Sequence, residues 1–161
     1  MLGVSTSPFN LSMLRKKNVW YSIKDGNWSD PSVWQGNGTK RYSVPQVGDD
    51  VYVCHAVDYN NVLSSSYLFN NTIGNLFISG KLTAVNGGNQ NRLYVKGNLQ
   101  CSGTVDFSTA GAMITICLLG VNNSIANFNC GTLSTIYYQS SNDAAIMPLT
   151  YYTLTCLAIR F

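Results

Sequence analysis

Short apolar strands recur through the middle of the chain at a spacing that leaves few folds open. Leu76-Phe-Ile-Ser-Gly80, Leu93-Tyr-Val-Lys-Gly97 and Ile114-Thr-Ile-Cys-Leu118 follow one another at similar steps. Each is followed by a second strand-like run: Lys81 to Val85, then Asn98 to Cys101 with Thr104 to Phe107, then Ser124 to Phe128. Gly or Asn stands at the corners. Short strand units that repeat at such a period, each covering a neighbour's apolar face, are the mark of a β-solenoid. The expected fold is all-β, a short right-handed parallel β-helix with an aromatic N-terminal cap. A β-sandwich is the alternative, because short strands at regular spacing describe that fold too.

Composition agrees with an all-β chain rich in tight corners. There is no glutamate, so all seven acids are aspartates, while asparagine occurs eighteen times and glycine 14 times. Asn, Gly and Ser favour turns, and Val, Ile, Thr and Tyr favour strands. Charged residues make up only 11% of the chain, against roughly 25% in an average soluble domain. Sides so poor in charge suit a protein covered by partner chains. The net charge is +3 and the basic residues are scattered, apart from Arg15-Lys16-Lys17 and Lys40-Arg41. No electrostatic footprint for nucleic acid results.

Residues 1–17 read as an extended tail without a clean period. Phe9, Leu11, Met13 and Leu14, followed by Arg15, Lys16 and Lys17, could order against a partner surface. The first residues lack the apolar run of an export signal, and no segment approaches the ~20 apolar residues of a membrane span. The expectation is a chain made in the cytosol and not inserted in a membrane. Residues 18–53 form a cap unit and residues 54–161 the rungs, with 18–161 as one domain.

The cap unit holds all three tryptophans, Trp20, Trp28 and Trp34. A solenoid has to cover its terminal rung, and core or cap packing is the first reading of these rings. The other is a sugar-stacking surface made by Trp28, Trp34, Tyr42 and Tyr59. The pattern Gly26-Asn-Trp-Ser-Asp-Pro-Ser-Val-Trp34, then Val44-Pro-Gln-Val-Gly-Asp-Asp-Val-Tyr-Val53, resembles the opening of certain parallel β-helices. Such openings occur in surface proteins of Bacteroidetes-type bacteria, in G8-like domains and in phage tail or head fibres. The later runs Ile73 to Gly80 and Leu93 to Gly97 are similar to rungs of that group. The resemblance implies a β-helix with its tryptophans in the cap. The phage branch accounts best for the missing export signal, since virions assemble in the host cytoplasm and leave by lysis.

No catalytic constellation stands out. Cys54, Cys101, Cys117, Cys130 and Cys156 show no metal spacing, and they read as buried thiols acting as small hydrophobes. His55 is the only histidine. As neighbours on a strand, Cys54 and His55 would point to opposite faces, which argues against a nucleophile pair. Asp49-Asp50 could be an acid/base pair of the glycosidase kind, but aspartates after Gly48 more often bond the backbone of a turn. No cofactor or metal is implied.

The first expected function is a structural virion protein, a fibre component of a phage particle. It would be a homotrimer that docks to other virion proteins by residues 1–17 and contacts the host surface outward. The alternative is a carbohydrate-binding or adhesive module, and the third reading a polysaccharide depolymerase.

Overall fold

A computed structural model of the chain describes residues 17–37, 43–60, 72–84, 87–109, 112–140, 146–149 and 153–156. Among them the structure is all-β, with one 3-10 turn at Pro31–Val33. In chain order the strands are β1 (Val19–Ser22), β2 (Gly26–Asn27), β3 (Trp34–Gly36), β4 (Asp50–Val53), β5 (Ala56–Tyr59), β6 (Thr72–Ile73) and β7 (Leu76–Ile78). They continue as β8 (Lys81–Ala84), β9 (Gly87–Val95), β10 (Leu99–Asp106), β11 (Ala112–Leu118), β12 (Ser124–Asn129), β13 (Ser134–Tyr138) and β14 (Thr153–Cys156). No helix among the described residues is long and apolar enough to cross a membrane.

The strands form two sheets. One runs β2-β5-β8-β10-β7-β4-β1-β3, with β12 also pairing β10; the other runs β14-β13-β11-β9-β6. Every pairing is parallel except that of β1 with β3, which is antiparallel. Parallel neighbours cannot be joined by a tight hairpin, so the chain must travel before it returns beside itself. Strand alternation turns Val51, Leu76 and Leu99 inward in one register row, and Val57, Leu82 and Val105 in another. Leu93, Ile116 and Ile136 form a third row on the other sheet. The core is therefore built from like side chains stacked in rows, all of them buried.

This register corrects the repeat read from the sequence. Leu76 lies beside Leu99, and Leu93 lies beside Ile116. Leu76 and Leu93, the pair that looked like successive repeats, sit in different sheets.

The corners explain the asparagines and glycines. The Asp50 carboxylate accepts the Asn75 N–H at 2.5 Å, the Asn75 side chain accepts the Asn98 N–H at 2.9 Å, and the Asn98 side chain accepts the Asn122 N–H at 3.3 Å. One short acceptor per corner thus satisfies the next backbone donor, which would otherwise be lost where the ladder breaks. At the other corner a Cβ on Gly103 would land on the Gly80 carbonyl, so only glycine lets the two backbone segments approach.

The tryptophans pack inside the fold. Trp28 meets Trp34 edge-on at 4.9 Å and Tyr59 at 5.2 Å, and the Trp34 indole N–H donates to the Trp28 carbonyl at 2.8 Å. The resulting exposures, 2% for Trp28, 4% for Trp34 and 0% for Tyr59, correct the stacking-surface reading: none of these faces is open to a sugar. The reason is that the three rings pack against one another and join the same buried core as the Val, Leu and Ile rows. Tyr42 lies outside the described residues, as do Phe9, Leu11, Met13, Leu14, Arg15 and Lys16 of the proposed tail. Lys17 is described, and its ammonium pairs with Asp50 at 2.7 Å.

Candidate functional site

The aspartates among the described residues are occupied by the fold. Asp49, buried, takes the Trp20 indole N–H at 2.8 Å, the Gln46 N–H at 3.0 Å and the Asn18 N–H at 3.2 Å. Asp50 is held by Lys17 and Asn75. Asp25 accepts the Ala56 N–H at 2.8 Å, and Asp58 accepts the Thr83 hydroxyl. Asp30 caps the 3-10 turn through the Ser32 hydroxyl and N–H, and those two bonds hold its carboxyl below the usual value. Asp106 is brought down to about 2 by Lys81, whose ammonium lies 2.8 Å away, and by the Ser108 hydroxyl. Asp49 and Asp50 are thus bound to the turn and corner, with their oxygens committed to backbone, indole and ammonium donors.

His55 and Ser22 also meet in a structural way. The buried Ser22 hydroxyl accepts the Cys54 and His55 backbone N–H groups at 2.8 and 3.0 Å, while His55 Nδ1 lies 2.8 Å from the Ser22 carbonyl. That carbonyl can only accept, so Nδ1 carries the proton. Cys54 and His55 stand after β4 at a corner rather than within a strand, with Cys54 exposed and His55 turned to β1. Cys101 and Cys117 are buried thiols, as the sequence implied. Cys54 and the half-buried Cys130 correct that reading for the set as a whole, because each lies just past a strand end. Burial pushes Cys101 and Cys117 upward, Cys117 to about 11, so neither is a thiolate at neutral pH. Among the described residues no three His, Cys, Asp or Glu side chains are grouped to hold a metal ion.

One feature of the surface is not explained by packing alone. Tyr21, Tyr52 and Phe77 occupy successive outward positions of β1, β4 and β7, in direct register. Their neighbours along each strand point inward, which fixes the three rings on the outside. Tyr21 stacks on Tyr52 with centroids 4.8 Å apart and planes 23° from parallel, and Tyr52 stacks on Phe77 at 4.5 Å and 17°. Parallel in-register pairing places like side chains one strand spacing apart, which matches the offset-stacked distance of aromatic rings.

The row then changes character. The next two register positions are Gln100 on β10 and Ser124 on β12, both exposed. Where the rings stop, an open groove of about 410 Å³ begins, lined by Tyr52, Phe77, Ser79, Gln100, Ser102 and Ser124. No lining side chain is charged. Sequence reasoning missed this row because Tyr21, Tyr52 and Phe77 are far apart and unevenly spaced along the chain, and only the strand register aligns them. The signal was an aromatic in the middle of each apolar triplet, Val51-Tyr-Val53 and Leu76-Phe-Ile78.

Set against protein-family models, curated proteins and solved structures, the chain matches none of them.

Proposed function

We propose that the chain is a parallel β-helix serving as a structural shaft, a component of a fibre of the phage type. The observation that carries this reading is the continuity of the parallel register. Val51 pairs with Leu76 and Leu76 with Leu99, while the β5, β8 and β10 row advances by the same two steps, Val57 to Leu82 and Leu82 to Val105. Strand rows that each pair with their copy in the next coil give a rod stiffened by backbone hydrogen bonds along its length. Aspartates committed to corners and ion pairs are what a shaft requires, and they support a mechanical role over a hydrolytic one. The low charge fits sides that meet other chains, and the cap segments Gly26 to Trp34 and Val44 to Val53 carry the likeness to fibre proteins.

The assembled form is a homotrimer in this reading, since shafts attached at one point favour closed cyclic symmetry. Light scattering on size-exclusion fractions of residues 1–161 tests it. A stable trimer supports the shaft. A monomer at all concentrations refutes the trimeric fibre.

A further inference from the structure

We propose that the groove at the end of the outer aromatic row is a binding site for a neutral glycan, with Phe77 as its stacking face and Gln100 and Ser124 as its polar contacts. Tyr52 covers one face of the Phe77 ring at 4.5 Å. The second face looks toward the next strand, where the position in register is Gln100 and not a fourth ring. Phe77, Gln100 and Ser124 all line the groove.

The chemistry of the lining selects the ligand class. A pyranose ring presents a face of polarised C–H bonds, which meet the electron-rich face of an aromatic ring, and a rim of hydroxyls, which need both donors and acceptors. Phe77 supplies the first. The Gln100 amide offers two donors and an acceptor, and the hydroxyls of Ser79, Ser102 and Ser124 offer one donor and two lone pairs each. Because no charged side chain lines the groove, a sulfated, phosphorylated or sialylated sugar gains no partner there, and a neutral one loses none. The volume of about 410 Å³ lies within the roughly 300–1,000 Å³ of small-ligand sites. The open shape suits a short stretch of a longer glycan running across the strands. This goes beyond a shaft: it gives one side of the molecule a recognition surface, distinct from the buried Trp28, Trp34 and Tyr59.

A printed array of neutral and anionic oligosaccharides tests the proposal, followed by saturation-transfer NMR with the neutral oligosaccharide bound best. The informative variant is Gln100→Tyr, which continues the Tyr21, Tyr52, Phe77 row and so fills the groove beside Phe77. It keeps the fold, because it repeats an arrangement the row already uses. The expected result is binding confined to neutral glycans, weakened about tenfold or more in Gln100→Tyr and in Phe77→Ala. Binding in Tyr21→Ala, at the far end of the row, stays as in the unaltered chain. Three results overturn the proposal: no glycan bound, preference for anionic glycans, or binding unchanged in Gln100→Tyr. A change of solution mass in Gln100→Tyr without any glycan binding also overturns it, and assigns the groove to contact between copies of the chain.

Discussion

Replacing the buried Asp49 tests whether this carboxylate is an architectural hub for the segments around Asn18, Trp20 and Gln46. Its Oδ2 accepts from the Trp20 indole and the Gln46 backbone, and its Oδ1 accepts from the Asn18 backbone. Asp49→Ala leaves the Trp20 and Gln46 donors facing a void. A buried donor without a partner costs about 1–3 kcal/mol. The Trp20 bond is fully buried and the Gln46 bond partly so, which places the total at about 3 kcal/mol. Asp49→Asn is milder and more instructive. Its single oxygen can serve Trp20 and Gln46, but its NH2 then confronts the Asn18 N–H, donor against donor, for a loss of about 1–2 kcal/mol. The expected order is therefore unaltered chain, then Asn, then Ala. Urea unfolding followed by far-UV circular dichroism and tryptophan emission measures both losses, with Trp20 reporting locally. Against the roughly 5–15 kcal/mol stability of an ordinary domain, about 3 kcal/mol is a large shift in midpoint. An Ala variant within about 0.5 kcal/mol of the unaltered chain, the range of neutral surface changes, would refute the reasoning.

Other consequences are open to test. Gly103→Ala forces a Cβ onto the Gly80 carbonyl, and a loss of at least about 1–3 kcal/mol in urea unfolding is expected, as for other overpacked sites. Leu82→Ala, at a fully buried point of the central row, should cost about 2–5 kcal/mol by the same measurement. Asp106 titrates near 2 in the folded chain, below its ordinary 3.8, so its contribution is present above that ordinary value and is lost as the pH falls toward 2. Acid unfolding of Asp106→Asn should lack that step, and because the Lys81 partner is exposed the difference should shrink in high salt. Iodoacetamide under mildly alkaline conditions, followed by peptide mass spectrometry, should label the exposed Cys54 and spare Cys117, whose thiol burial pushes up to about 11. Equal labelling of the two in the native chain would contradict the burial of Cys117.

How much of this was legible in the sequence depends on the range of the interaction involved. Local chemistry was readable. The turn at Gly48-Asp-Asp50, the buried Cys101 and Cys117 and the packed tryptophans follow from residue type and immediate neighbours. So do the all-β class and the inward and outward alternation of Val51-Tyr-Val53. The groove was not readable, because it is made by residues on strands distant in sequence. Phe77 and Gln100 meet only once the register is known, and that register depends on how many residues the corners consume, which a pattern of apolar runs does not reveal. The same limit misaligned Leu76 with Leu93, since strands of different sheets and neighbours within one sheet look alike in sequence.

The sequence by itself determined that this chain forms strands with polar corners, because side-chain shape and backbone preference act within a few residues. Only the tertiary structure decided which strands lie side by side, since parallel pairing is fixed by the packing of whole inward rows such as Val57, Leu82 and Val105. That choice in turn buried Trp28, Trp34 and Tyr59 and left Phe77 at the end of an open row. The aromatic rings were visible from the start; which of them face water was settled by the strand register, which sets Tyr21, Tyr52 and Phe77 in one outward row while Trp28, Trp34 and Tyr59 join the core.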